Sequence, residues 1–155
     1  MFTFVINMEN VQTRHEEPQL PEGCRLVDFH TSVDSRGSLS VAESYKEVPF
    51  EIQRVFWITD ITPGASRGEH AHLTCSELLV PIAGSFRLWL TDGKNESEIL
   101  VDNCRQGVLV PAGVWCKLTE FTPGTVCLCM ASQPYMPDGY IDDFETYLSL
   151  RRHAR

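Results

Sequence analysis

The stretch GASRGEHAHLTCSELLVPIAG, residues 64–84, decides how the chain is read. As spacing it is G-x5-H-x-H-x4-E-x6-G, with histidines at His70 and His72, a carboxylate at Glu77 and framing glycines at Gly64 and Gly84. Side chains alternate across a strand, so His70 and His72 share one face, and a strand returning beside them brings Glu77 to that same face. Three metal ligands or proton carriers are then expected to converge.

On either side of this stretch, short runs rich in Val, Ile, Leu, Phe and Trp are broken by Gly, Pro, Asp and Asn. Residues 25–29 and 39–43 read as strands flanking the turn Asp34-Ser35-Arg36-Gly37, and 52–59 as a longer strand closed by Thr62-Pro63-Gly64. Strands over 77–82 and 85–90 follow, then a hairpin whose loop holds Asp92-Gly93-Lys94-Asn95 before 98–101. Residues 108–110 and 126–131 complete the series. Roughly eight to ten short strands at such spacing predict an all-β sandwich or barrel. One helix is expected over 138–152, where Ile141, Phe144, Tyr147 and Leu148 repeat on one helical face. Residues 1–23 carry no clear period and read as an arm ahead of a single domain over 24–155.

The chain has 155 residues, 43% of them apolar, and a mean hydropathy of −0.15, which suffices for one sizeable core. Thirteen Lys and Arg against 21 Asp and Glu give a net charge of −8. General nucleic-acid binding, which needs a clustered Lys/Arg face, is thereby excluded, and an anionic small ligand requires a local basic pocket. No run approaches the ~18 apolar residues of a membrane helix, and the first residues lack the pattern of a signal peptide, so a soluble cytoplasmic protein is expected. Six cysteines admit three disulfides, but the expected compartment and core size favour free thiols. Cys127-Leu128-Cys129 is read as placing its sulfurs on opposite faces of a strand.

The 64–84 spacing resembles the first signature of the cupin superfamily, small jelly-roll β-barrels (double-stranded β-helices) whose corresponding His, His and Glu often bind a metal. Pro111-Ala112-Gly113-Val114-Trp115-Cys116 is similar to the second signature, P-x-G-x-x-H, with cysteine at its last position. From about residue 25 to 147 the chain resembles a narrower group, the WxcM-like nucleotide-sugar 3,4-ketoisomerases. That likeness is carried by Asp34-Ser35-Arg36-Gly37-Ser38-Leu39, by Pro49-Phe50-Glu51-Ile52-Gln53-Arg54-Val55 and by Arg67-Gly68-Glu69-His70-Ala71-His72. Val114-Trp115 and the tail Tyr135-x-x-Asp138-x-Tyr140-Ile141 fit the same pattern. The resemblance implies a cupin barrel with a short C-terminal helix, and a homodimer of subunits that exchange N-terminal strands, with 1–23 a candidate exchanged arm. It also implies an isomerase that converts a thymidine-diphosphate-linked 4-keto-6-deoxyhexose to the 3-keto sugar with no metal or other cofactor, in deoxysugar biosynthesis toward surface polysaccharides.

Such a reaction removes the proton on C3, acidified by the C4 carbonyl, and returns one at C4 through an enediol, so it needs acid/base groups near neutral pH. His70 and His72 are the candidate proton-transfer pair, with Arg67 stabilising oxyanion charge or binding phosphate. Arg36 and Arg54 are candidate diphosphate partners, because a planar guanidinium pairs two phosphate oxygens. Trp115 is a candidate base-stacking wall and Glu77 a further substrate contact. The chain departs from the group's pattern at Phe56 and Trp57 (tyrosines), Glu77 (glutamine) and Cys116 (histidine). Two alternatives follow: a metal-dependent cupin holding one divalent ion on His70, His72, Glu77 and Cys116, or a sugar-nucleotide binding module without catalysis.

Overall fold

The computed structural model describes residues 19–153. The expected arm, 1–23, falls largely outside them. The described chain is all-β until its last element: β1 (Arg25–Asp28), β2 (His30–Asp34), β3 (Gly37–Val41), β4 (Arg54–Ile58), β5 (Arg67–His72), β6 (Glu77–Ala83), β7 (Phe86–Thr91), β8 (Glu96–Val101), β9 (Gln106–Val110), β10 (Trp115–Thr119), β11 (Val126–Ala131), β12 (Tyr140–Ile141) and the helix α1 (Phe144–His153). One five-stranded sheet runs β1-β9-β6-β11-β4, a second runs β12-β5-β10-β7-β8, and all pairings in both are antiparallel. The β2–β3 hairpin forms a separate two-stranded sheet.

Burial explains why the two large sheets close on each other. Leu79, Val108, Val110, Cys127 and Cys129 from the first sheet pack with Phe86, Leu88, Leu90, Ile99, Cys116 and Leu118 from the second in one core. The first sheet is also covered on its outer face, where Leu78, Val80, Leu109 and Met130 meet Phe29, Val48, Phe50 and Ile52 from the β1–β4 segment. That double burial is why β6 reads as a nearly unbroken apolar run rather than an alternating one. Helix α1 covers the outer face of the second sheet, with Phe144, Tyr147 and Leu148 packed on Ala71, Trp115 and Trp89.

Gly84, the second framing glycine, sits at φ 68°, and a Cβ there would lie 2.8 Å from Thr125 Cα, so the β6–β7 turn admits only glycine.

Three local expectations are corrected. The helix begins at Phe144 rather than Asp138, because Tyr140 and Ile141 pair with His72 and Ala71 as β12. The turn at Asp34–Gly37 joins β2 to β3, while β1 leaves to pair with β9. Cys127 and Cys129 do not point to opposite faces: residues two apart on a strand share a face, and their Sγ atoms lie 3.9 Å apart inside the barrel. All six cysteines are free.

Candidate active site

The site sits between the two sheets at the end where edge strands β4 and β12 lie. Alternation along β5 turns His70 and His72 inward and Ala71 outward to α1. Their rings are 5.0 Å apart between centroids and nearly perpendicular. Opposite them, Arg54, Ala131, Glu77 and Val110 form one inward cross-strand row, since Ala131 pairs with both Arg54 and Glu77 and Glu77 pairs with Val110. Ala131 is fully buried and carries only a methyl group, which lets the guanidinium of Arg54 pass over it to Glu77.

Glu77 Oε1 lies 3.0 Å from His72 Nε2 and 3.5 Å from Arg54 Nη2, with all three side chains largely withdrawn from solvent. The carboxylate thus stands between a fixed cation and an imidazole. The His72 contact is within ion-pair reach but off the direction of a ring N–H. Accordingly His70 Nε2, His72 Nε2 and Arg54 Nε are buried polar atoms with no hydrogen-bond partner. Groups left unpaired in a closed site cost free energy unless a ligand satisfies them. Arg54 is further held over the rings of Phe56, at 5.1 Å, and Tyr135, at 5.7 Å.

Burial, and after it the charge of neighbouring His72, pushes the His70 imidazole below its ordinary pKa, against an opposing pull from Glu77. His70 is therefore a neutral imidazole near pH 7, able to accept a proton. Cys116 faces it directly across the β5–β10 ladder. Burial drives that thiol far above its usual range, with Glu77 adding to the shift, so it stays protonated.

Arg67 reaches the histidine face through a β-bulge. It lies three positions before His70, an odd spacing that in a regular strand would put it on the opposite face. The β5–β10 register slips between Cys116 and Lys117, so that His70 pairs with Cys116, Gly68 with Lys117 and Arg67 with Leu118, leaving Glu69 as the extra residue. Gly68 and Glu69 both adopt the left-handed region, at φ 76° and 60°. Glu69 turns outward to Lys117 Nζ at 2.7 Å. Leu118 lies in the barrel core, so its ladder partner Arg67 takes the inner face, exposed at the barrel's rim.

The structure thus unites His70, His72, Glu77 and Arg54, places Cys116 beside them and puts Arg67 at the rim of the same face. It does not bring Trp115 or Arg36 to the histidines. Trp115 faces outward, packed 5.0 Å from Phe144 and 5.4 Å from Tyr147 between ring centroids, and is buried there. Arg36 lies exposed in the β2–β3 turn, paired with Asp34 at 2.6 Å, beside a groove of about 430 Å³. Arg54 pairs with Glu77 through Nη2 and keeps an unpaired Nε. Sequence reasoning assigned Tyr140 no site role beyond its place in the family-like tail, yet its ring lies 4.6 Å from that of His72 and 5.1 Å from that of His70. The signal that would have found it is strand alternation at 140–141, hidden by the helical period that follows.

Two facing antiparallel sheets with an inward His–His–Glu cluster define an RmlC-like cupin barrel. The chain belongs to the family described as FdtA: WxcM-like, C-terminal, whose model matches residues 22–152. It is 36% identical over 128 residues to the TDP-4-oxo-6-deoxy-alpha-D-glucose-3,4-oxoisomerase of Aneurinibacillus thermoaerophilus, covering 81% of this chain and 92% of that protein. Among solved structures it resembles a 3,4-ketoisomerase from Helicobacter canadensis, with 32% identity, a TM-score of 0.81 and coverage of 84% of this chain and 98% of the other. It also resembles QdtA, a sugar 3,4-ketoisomerase from Thermoanaerobacterium thermosaccharolyticum in complex with TDP, at 28% identity, a TM-score of 0.82 and coverage of 84% and 96%.

Proposed function

We propose that this protein is a sugar-nucleotide 3,4-ketoisomerase that moves the keto group of a TDP-linked 4-keto-6-deoxyhexose from C4 to C3. The observation that carries the proposal is the pair of inward histidines with unsatisfied buried Nε2 atoms, in a chain 36% identical to an oxoisomerase of that substrate class. His70, neutral and with a free Nε2, is the base that removes the C3 proton. The Glu77 carboxylate stabilises the charge that appears when His70 becomes protonated, and His72, held against Glu77, relays the proton toward C4. Arg67, at the rim of the same face, offers its guanidinium to the developing oxyanion or to the diphosphate. The departures from the family pattern fit this division of labour: Phe56 supports Arg54 through its ring, and Cys116 fills the row opposite His70 as a neutral thiol.

The test is product formation. Wild-type protein is expected to convert TDP-4-keto-6-deoxyglucose to the 3-keto isomer, followed by NMR, with loss on the order of 100-fold or more in His70→Asn and His72→Asn. Tight TDP binding with no turnover of any TDP-4-keto-6-deoxy sugar would instead establish a binding module.

One observation favours a second reading: the ligand atoms of His70, His72 and Glu77 all lie within 4.8 Å of one another. Two imidazoles and a carboxylate suit a divalent cation, which would polarise a carbonyl as a Lewis acid. Against it, Arg54 occupies the same Glu77 oxygen with a fixed positive charge, and Cys116 has no thiolate to contribute. Protein purified without tag or chelator is expected to carry far less than one equivalent of metal. Near one equivalent, abolished by Glu77→Gln, would shift the assignment to metal-assisted chemistry.

We further propose that the protein works as a homodimer in the cytoplasm, in deoxysugar biosynthesis for surface polysaccharides. Support for the dimer comes from Val33 and Leu39 on the β2–β3 hairpin and Val55 and Trp57 on edge strand β4, all large apolar side chains left exposed. Six free cysteines suit a reducing compartment, and no helix among the described residues is long and apolar enough to cross a membrane. Light scattering on the purified protein is expected to give twice the 17.6 kDa chain mass.

A further inference from the structure

We propose that Tyr140 is a catalytic residue: its phenol carries the oxygen-bound proton of the isomerisation while the histidines carry the carbon-bound one. The inference rests on the ketoisomerase function proposed above.

Backbone pairing, not its hydroxyl, fixes Tyr140. It is the residue of β12 opposite His72 in the β5 ladder, so the pleat turns its ring to the histidine face while Ile141 turns toward Ala71 and the helix. Just before it, Leu73 N donates to Gly139 O at 2.9 Å, fixing the approach of the chain. With Arg54 and His72, Tyr140 lines a narrow cleft at the open side of the site. The ring is half-buried, yet no hydrogen bond to its hydroxyl occurs among the described residues. Tyr147 provides the contrast, because its hydroxyl lies 2.7 Å from Thr91 O and 3.0 Å from Gly113 O and is spent on structure. A half-buried phenol that no group among the described residues engages, on the wall of a site whose imidazole nitrogens are unsatisfied, is placed to serve a ligand.

The chemistry leaves a role that no other group on this face fills. When a histidine takes the C3 proton, the C3–H electron pair becomes the C3=C4 π bond and the C4 carbonyl π pair moves onto O4. O4 must then be protonated. Arg67 and Arg54 can hold oxyanion charge but a guanidinium keeps its protons, Phe56 has no hydroxyl, Glu77 when ionised only accepts, and Cys116 is a weak donor. Tyr140 O–H gives its proton to O4 and becomes a phenolate. The phenolate next takes the O3–H proton as an O3 electron pair forms the C3=O bond, and the C3=C4 π pair takes the proton from the histidine at C4. Each group ends as it began, and no co-reactant is consumed.

The test is Tyr140→Phe, which keeps the ring against both histidines and removes only the hydroxyl. With TDP-4-keto-6-deoxyglucose, kcat is expected to fall about 100-fold, as for loss of one oxyanion donor, with KM within about twofold of wild type by the logic of a group used only in the transition state. A melting temperature matching wild type would confirm that the fold is kept. Tyr140→Phe with unchanged kcat beside an active wild type would overturn the role of Tyr140 and leave the ketoisomerase function standing. A wild type that turns over no such sugar would overturn both.

Discussion

Ala131 shows how much a single small side chain decides here. It is fully buried between Arg54 and Glu77 in the cross-strand row, and the ion pair exists because nothing taller stands between them. Ala131→Val is expected to cost about 1–3 kcal/mol in overpacking, read as a drop of several degrees in melting temperature, and to part Arg54 from Glu77. His70 sets the pH behaviour. Its pKa is lowered, chiefly by burial, so the neutral base survives to lower pH and the acid limb of kcat/KM is expected below the ordinary histidine value of about 6.5. A limb at or above that value would contradict the assignment of His70. The sign for stability follows from the same shift: the unfolded chain takes up this proton first, so stability falls as pH drops from the unfolded pKa toward the lower folded one. His70, His72 and Glu77 were legible from spacing alone, because strand alternation is a strict rule. Arg54 was singled out as a candidate diphosphate partner but not as the partner of Glu77, since the small residue that permits their contact lies some 54 positions after Glu77 in the chain.

Among the elements, β5 and α1 carry the most consequence. The bulge at Gly68 and Glu69 rephases β5 so that Arg67 joins the histidine face, and a Cβ on Gly68 would lie 2.9 Å from Cys116 O. Gly68→Ala is expected to undo the bulge or strain it, lowering kcat/KM at least tenfold through Arg67 and His70 while the two-sheet core persists in circular dichroism. Unchanged kcat/KM would show that the phase of Arg67 is irrelevant. Helix α1 is capped by Asp143, whose side chain accepts from Thr146 N at 2.7 Å, and it is anchored by Tyr147 between the end of β7 and Gly113. Tyr147→Phe is expected to cost about 1 kcal/mol, or about 2–4 °C in melting temperature at this chain length; an unchanged melting temperature would remove the anchor. The helix was legible from its period, but its start was not: β12 and α1 both place apolar residues where a single longer helix would, and only the pairing of Tyr140 with His72 separates them. Strand β10 escaped notice because Trp115 and Cys116 read as the tail of a turn signature, although both sheet faces need them.

At the scale of the molecule, a barrel with a net charge of −8 handles a diphosphate-linked sugar only by local means. Arg67 at the rim supplies such a local charge. The all-β sandwich or barrel was legible because turn residues punctuate the apolar runs at regular intervals, and the resemblance of residues 64–84 to the cupin signature narrowed it to a jelly roll. The exposed hairpin was not, since Val33 and Leu39 look like core residues in sequence and stand in solvent in one copy of the chain. The central claim is that the histidine pair moves a carbon-bound proton between C3 and C4, and solvent hydrogen exchange tests it most directly. In deuterated buffer, with metal-free wild-type protein and TDP-4-keto-6-deoxyglucose, NMR is expected to show deuterium at C4 of the 3-keto isomer, whose C3 carbonyl carries no hydrogen, and at C3 of 4-keto substrate that returns from the enediol, with neither event in His70→Asn. Isomer formed by His70→Asn at the wild-type rate, or no exchange at either carbon with wild type, would contradict the account.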